Sequence, residues 1–191
     1  MISVARKTKE TDISLSVGID AARRIDIRTP LPFFNHMLTA MAFHGGFSLT
    51  LEADGDVDVD AHHLVEDIGL VLGDAFNKLG AENTPLCRYG FSVIPMDDAL
   101  SETVIDVSGR PYLVFNADFP QPVSGTFDMS LLREFFIAFS NKAQITLHCN
   151  CRYGLNSHHM AEALFKSFGK ALKQAYTSSS DGSVLSTKGV I

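Results

Sequence analysis

The sequence predicts an α+β fold made of two related halves, each with a β-sheet packed against helices. Apolar and polar residues alternate over 13–19, 47–52 and 57–60, the pattern of strands with one buried face. From His62 to Leu79 apolar residues recur at intervals of three and four, which indicates an amphipathic helix. The same order of strands and helices then occurs a second time.

Further elements complete the two halves. A shorter helix is predicted over 33–43, with Gly45-Gly46 ending it, and Gly80 is the predicted C-cap of the long helix. In the second half, helices follow four strands, which alternation predicts around 91–95, 103–107, 112–115 and 144–149.

An internal repeat supports the duplication. A shift of 96 residues, the distance from His62 to His158, aligns several residues without a gap: Thr50-Leu51 with Thr146-Leu147, His62-His63 with His158-His159, Glu66 with Glu162, and Gly73 and Ala75 with Gly169 and Ala171. We therefore predict a first half at 1–92 and a second half at 93–191. The tail from Thr177, rich in Ser and Gly, is predicted to be mobile unless something binds it.

Composition narrows the class of protein. The chain has 191 residues, 46% of them hydrophobic, and a formal charge of −6, which argues against a nucleic-acid partner. The N-terminus lacks a signal-peptide h-region, and no apolar stretch approaches the length of a membrane span. Three cysteines at irregular spacings fit neither a disulfide framework nor a zinc knuckle. The sequence thus predicts a cytoplasmic protein with reduced thiols.

Two H-H-x-x-E clusters carry the strongest chemical signal. They are His62-His63-x-x-Glu66 and His158-His159-x-x-Glu162. On a helix, residues four apart share a face, while adjacent residues are turned by about 100°. The first histidine and the glutamate of a cluster could therefore chelate one ion, while the second histidine points at another ion or another subunit. Imidazole and carboxylate ligands together suit Mn, Fe or Zn.

Single histidines carry a weaker signal. His44 lies beside Gly45-Gly46 near a helix end, where a capping or surface role is as common as a functional one. His36 lies on an otherwise apolar helix, where a hydrogen-bonded core histidine is the default. His148 ends the apolar strand Ile145-Thr146-Leu147, and strand ends often present site residues. The doubled clusters differ because two ligand sets at matching places are costly to bury without a metal.

A series of spaced motifs extends along nearly the whole chain. It comprises 8–11 (Thr-Lys-Glu-Thr), 33–38 (Phe-Phe-Asn-His-Met-Leu), 55–60 running into His62-His63, 106–111 (Asp-Val-Ser-Gly-Arg-Pro), 156–159, 162–166 and 186–189 (Ser-Thr-Lys-Gly). In these motifs the chain resembles the imidazoleglycerol-phosphate dehydratases. One departure is Asn35, where the family usually has Asp, and an amide there could alter the affinity of a neighbouring ligand for metal.

The resemblance implies a metal centre shared between subunits. It implies two Mn²⁺ ions per active site, in a homo-oligomeric cage of 24 chains. The implied ligands form two sets: His62, Glu66, His148 and His159 in one, and His36, His63, His158 and Glu162 in the other.

The resemblance also implies the reaction and its residues. Water is eliminated from imidazole glycerol phosphate to give imidazole acetol phosphate, a step of histidine biosynthesis, with the ions acting as Lewis acid and template. Glu10 is the candidate for proton transfer and substrate contact, and the ligands His62, Glu66, His159 and Glu162 are the other catalytic candidates. The candidate phosphate-binding residues are Arg88, Arg110, Lys166, Ser186 and Lys188. Lys166 also lies four residues past Glu162 and could pair with it instead. Lys188 would make the tail a flap over bound phosphate.

Two other functions compete with this prediction. A dinuclear metallohydrolase would also use paired ions and would release inorganic phosphate from its substrate. A structural or metal-buffering protein would use the histidines only to tie subunits together. Such a protein would be indifferent to substitution of Lys188.

Overall fold

The computed structural model describes residues 1–19, 22–83, 85–179 and 185. The first half contains β1 (Ile2–Lys7), β2 (Thr11–Gly18), β3 (Ile25–Arg28), α1 (Pro32–Gly45), β4 (Ser48–Gly55) and α2 (His62–Glu82). The second half contains β5 (Tyr89–Met96), β6 (Ala99–Asp106), β7 (Tyr112–Asn116), β8 (Val123–Ser124), β9 (Phe127–Asp128), α3 (Leu131–Ala143), β10 (Thr146–Tyr153) and α4 (Ser157–Tyr176). Within these described ranges, no helix is long and apolar enough to cross a membrane.

The two main sheets confirm the predicted duplication. Their strand orders are β1-β2-β4-β3 and β5-β6-β10-β7, which become identical when each strand is replaced by its counterpart. In both sheets three strands run antiparallel, and the fourth, β3 or β7, pairs in parallel with the strand that follows the intervening helix. The predicted division between residues 92 and 93 lies inside β5. We propose that the halves divide between the end of α2 and the start of β5.

The four helices lie between the two sheets and interlock the halves. Helix α2 packs on β1 and β2 of its own half and against α3 of the other, and α4 packs on β5 and β6 and against α1. Two glycines that correspond in the repeat allow these contacts. A Cβ atom on Gly169 would lie 2.1 Å from the Met41 carbonyl oxygen, and one on Gly73 would lie 2.6 Å from that of Phe139.

One hydrophobic core therefore serves both halves. Its centre is a group of fully buried phenylalanines contributed by helices of both halves, whose rings contact edge-to-face or stacked. They include Phe34, Phe76, Phe135, Phe136, Phe139, Phe165 and Phe168. Burial of each aromatic side chain stabilises the fold by about 1.5–3 kcal/mol. Because these rings come from helices of both halves, the group links the packing of α1 and α4 to that of α2 and α3.

Two predicted features of the first half are wrong. Residues 57–60 form a turn and not a strand, because Asp side chains and carbonyl groups there accept local hydrogen bonds from the backbone. Val and Asp alternate in this turn, but the valines do not form one buried face, and Val59 is 75% exposed. Gly80 does not end α2, which continues to Glu82 with Asn83 as its C-cap. Gly80 instead packs closely against Tyr176.

Candidate metal centre

Three predicted metal ligands converge where α1 meets α4. Asn156 caps α4, its side-chain oxygen accepting a hydrogen bond from the His158 N–H. His158 and Glu162, four residues apart on this helix, lie one turn apart. Helix α1 contributes His36 from the other half. The Nε2 atoms of His36 and His158 lie 3.0 and 3.2 Å from Oε2 of Glu162.

The chemistry of this cluster fits a transition-metal ion. One donor atom from each of His36, His158 and Glu162 lies within 4.8 Å of the other two, the one such group among the residues that the structure describes. Two imidazole nitrogens and one carboxylate oxygen suit Mn, Fe or Zn. If a cation bound among them, the two imidazoles would coordinate the ion instead of sharing hydrogen bonds to the Glu162 carboxylate.

The surroundings of Glu162 keep its carboxylate ionised, the form that binds a cation. Its side chain is only 11% exposed, and Lys166 Nζ lies 2.7 Å from Oε1. Burial acts to raise the pKa of Glu162, but hydrogen bonds from Lys166 and His36 outweigh it and lower that pKa to about 2. Lys166, a predicted phosphate-binding residue, thus contacts Glu162, as the alternative interpretation required. It leaves Oε2 facing the imidazoles.

The first half repeats only part of this arrangement. His62 Nε2 lies 3.3 Å from Glu66 Oε2, again one turn apart on a long helix. Gly73 packs on Phe139 as Gly169 packs on Met41, so the residue of α3 that corresponds to His36 is Glu134. Glu134 pairs with Arg133 at 3.5 Å. The chain therefore offers two donors at the His62–Glu66 site, where the cluster of His36, His158 and Glu162 offers three.

The second histidine of each cluster faces a different direction. The His63 and His159 rings are turned by 86° and 87° from those of His62 and His158. His63 Nδ1 lies 3.1 Å from Asp56, and His159 Nδ1 lies 2.6 Å from Asp98. The hydrogen bond with Asp56 raises the pKa of His63, and the bond with His159 lowers the pKa of Asp98. Among the described residues, neither histidine adds a ring nitrogen to the donor group of His36, His158 and Glu162.

His148 lies on the outer face of the second sheet. It is half-buried in β10 and pairs in register with Val104 of β6 and Val114 of β7, while Val104 pairs with Phe91 of β5. Phe91 and Val104 are 66% and 45% exposed. A predicted ligand therefore stands among exposed apolar side chains, away from the cluster between the helices.

Glu10 lies beside one of the predicted ligands. It is exposed in the turn between β1 and β2, where its N–H donates to the Thr8 hydroxyl. Its Oε2 atom is 3.8 Å from Nδ1 of His63. The predicted proton-transfer carboxylate thus lies exposed beside His63.

The predicted phosphate-binding arginines meet at Asp106. Arg88 donates to both oxygens of Asp106, from Nε at 2.7 Å and Nη2 at 3.2 Å, and this raises the pKa of Arg88. Its Nη1 donates to the Leu185 carbonyl oxygen. Arg110 is 68% exposed and lies 3.7 Å from Asp106. Ser186 and Lys188 lie outside the described residues, as does most of the tail, so these assignments and the tail's mobility stay predictions.

Sequence patterns did not identify Asp56, Asp98 and Asp106 as partners of site residues. Acidic residues in turns and at strand ends are usually solvated, so their type alone gave no signal. Asn35 contacts Thr29, donating to its carbonyl at 3.0 Å and accepting from its hydroxyl at 2.7 Å. It therefore fixes the start of α1. His44 is half-buried at the end of that helix, where burial, Lys166 and Lys170 lower its pKa.

Comparisons with known proteins agree with one another. The family model described as imidazoleglycerol-phosphate dehydratase matches residues 29–172. The dehydratase of Gluconobacter oxydans is 47% identical over 97% of this chain and 95% of its own length. That of Trichlorobacter lovleyi is 49% identical over 98% of this chain and 97% of its own.

Solved structures show the same relationship in three dimensions. The crystal structure of the dehydratase from Staphylococcus aureus has a TM-score of 0.84 and 42% identity, covering 93% of this chain and 99% of that one. The Pyrococcus furiosus structure, in complex with (S)-C348, has a TM-score of 0.85 and 38% identity, covering 98% and 100%. The match to the family model and to these relatives, over nearly the whole chain, identifies this duplicated α+β subunit as a hydro-lyase. The chain belongs to the imidazoleglycerol-phosphate dehydratase family.

Proposed function

We propose that the protein eliminates water from imidazole glycerol phosphate to give imidazole acetol phosphate, with the help of two Mn²⁺ ions per active site. Convergence of His36, His158 and Glu162 is the observation that carries the metal part of the proposal. Family membership carries the reaction. We place this reaction in the cytoplasm, as a step of histidine biosynthesis, in keeping with three free thiols.

The ligands are proposed to fall into the two predicted sets. His36, His158 and Glu162, with His63, would hold one ion. His62 and Glu66, with His148 and His159, would hold the other. Each set needs at least one histidine that lies elsewhere in the same chain, so a second subunit must supply it.

The exposed face around His148 supports assembly. Phe91, Val104 and Val114 form an apolar row with His148 across four strands. Exposed apolar patches of this kind mark interaction surfaces. We propose a homo-oligomer, a cage of 24 chains, in which each His148 reaches a neighbour's ligands and the covered apolar row stabilises the contact.

The chain's own groups would move the proton and hold the phosphate. When bound, the ions would supply Lewis acidity to the substrate's imidazole ring. Glu10, which lies 3.8 Å from His63, would accept the proton from the carbon next to the one that loses hydroxide. Arg88 and Arg110 would bind phosphate together with Ser186 and Lys188 of the tail. The bond from Arg88 to Leu185 supports this, because Ser186 is the next residue in the sequence.

Product analysis tests the reaction. Metal-stripped protein is supplied with Mn²⁺ and imidazole glycerol phosphate, and the ketone and inorganic phosphate are measured together. The proposal predicts ketone without phosphate release, and Glu10→Gln should lower the turnover number while Mn²⁺ binding stays unchanged. Release of phosphate without ketone would identify a hydrolase, and formation of neither product by assembled, metal-loaded protein would favour a structural role.

A further inference from the structure

The two histidines of each H-H-x-x-E cluster use different ring nitrogens. His62 and His158 present Nε2 to the glutamate of their own cluster. His63 and His159 instead present Nδ1 to an aspartate. A carboxylate only accepts hydrogen bonds, so the proton of a neutral His63 or His159 must reside on Nδ1. This tautomer places the lone pair on Nε2, on the opposite side of the ring. The exposed Asp97 carboxylate lies 3.6 Å from Nε2 of His159, beyond hydrogen-bond distance.

The two aspartates occupy positions that do not correspond in the repeat. Asp56 directly follows β4, in the loop that leads into α2. Asp98 lies in the turn between β5 and β6, whose counterpart in the first half is the turn that holds Glu10. Duplication alone therefore does not explain both contacts. The same pairing has been reached from two different loops.

Both aspartates are held by backbone groups of the adjoining loops. Oδ2 of Asp98 accepts hydrogen bonds from the N–H groups of Leu155 and Asn156, while Oδ1 contacts His159. The Asp56 N–H donates to the Glu10 carbonyl at 3.1 Å. The Asp98–His159 pair is also shielded, with side chains 28% and 26% exposed. The Asp98 carboxylate is thus placed directly by backbone donors, whereas Asp56 is anchored through its main chain.

We propose that Asp56 and Asp98 are positioning residues, which fix His63 and His159 in the Nδ1–H tautomer so that Nε2 is presented to a metal ion. This inference rests on the proposed metal function. An aspartate behind a ligating imidazole sets the ring's orientation and strengthens the nitrogen opposite as a ligand. His36, His62 and His158 face the glutamates through Nε2 and do not share this device. The centre is therefore built from two kinds of histidine.

The Asp98→Asn variant distinguishes control of the His159 tautomer from structural support of the loop by Asp98. The amide oxygen can still accept from Leu155 and Asn156, but the amide nitrogen then faces His159 Nδ1 and donates. His159 must move its proton to Nε2, where it can no longer bind a metal. Asp98→Ala removes both functions. Asp56→Asn makes the corresponding test on His63, and Asp74→Asn, on the exposed face of α2 beside Lys78, is the matched control.

Mn²⁺ binding to the whole protein is measured by electron paramagnetic resonance of the free ion, and directly coordinated nitrogens are counted by electron spin echo modulation. Asp98→Asn and Asp56→Asn should each weaken binding about 10- to 100-fold and remove one coordinated nitrogen, with circular dichroism unchanged. The proposal would be overturned if Asp98→Asn bound Mn²⁺ as tightly as Asp74→Asn and only Asp98→Ala were defective. Asp98 would then serve only to anchor the loop. If Asp98→Asn does not fold, Asp56→Asn decides. Failure of the unsubstituted protein to bind Mn²⁺ would instead overturn the metal function itself.

Discussion

Gly169→Ala should damage the metal centre without altering any of its ligands. Gly169 lies where α4 crosses α1, and His36 reaches Glu162 and His158 only across this crossing. An added Cβ atom would stand 2.1 Å from the Met41 carbonyl oxygen, a backbone atom. The backbones of α1 and α4 must therefore separate.

The size of the effect follows from this distance. A carbon atom approaches a carbonyl oxygen to about 3.3 Å, so the helices must part by about 1.2 Å. Overpacking of this kind costs about 1–3 kcal/mol, a fall in Tm of roughly 3–10 °C for a chain of this size. The same displacement moves His36 Nε2 out of range of an ion held by His158 and Glu162, because metal–ligand distances tolerate only about 0.2 Å. Mn²⁺ affinity should fall by about tenfold or more, or about 1.4 kcal/mol.

Gly73→Ala is the matched control. Its Cβ would lie 2.6 Å from the Phe139 carbonyl oxygen, which separates α2 from α3 in the same manner. His62 and Glu66 both lie on α2, so their distance does not depend on that crossing. Thermal unfolding at one protein concentration and Mn²⁺ titration are measured for both variants. Both should lose stability, but only Gly169→Ala should weaken the ion held with His36. Equal Mn²⁺ affinity in the two variants would refute the link between helix packing and the cluster.

Other predictions concern single groups. Glu162→Gln should weaken Mn²⁺ binding by about a hundredfold or more and abolish turnover and full assembly; retention of all three would remove Glu162 from the centre. In metal-free protein, the depressed pKa of Glu162, about 2, means that its charge stabilises the fold above its ordinary pKa near 4.5 and that this stabilisation is lost as pH falls toward 2. Tm measured across that window should therefore fall less for Glu162→Gln than for the unsubstituted chain, and parallel curves would contradict this. Lys188→Ala should raise KM for the phosphate substrate with Mn²⁺ affinity unchanged, and an unchanged KM would exclude a phosphate contact.

Local periodicity predicted the parts of the fold and site that depend on neighbours in sequence. The spacing of His158 and Glu162 determines their contact because both lie on one helix, and α2 repeats it with His62 and Glu66. Val57–Asp60 was misread because the same alternation occurs in a turn whose aspartates bond to local backbone. Short β3 and helix α3 were not predicted individually.

Long-range contacts required more than the pattern. His36 meets Glu162 across 126 residues of sequence, so only the family resemblance included it among the ligands. Nothing near Asp98 distinguishes it from a solvated turn residue, yet the approach of the β5–β6 turn to the start of α4 makes it the partner of His159. Such contacts arise because helices from opposite halves interlock. Local patterns in one sequence do not reveal how these helices pack.

A titration of metal-stripped protein with Mn²⁺, in which bound ions per chain and ketone formation are followed together, tests the central claim most directly. Two donor sets per chain predict saturation at two ions, with turnover absent in the stripped protein and rising with occupancy. Full turnover without metal, or tight binding of Mn²⁺ that leaves turnover unchanged, would contradict the assignment of the histidine–glutamate clusters as the catalytic centre.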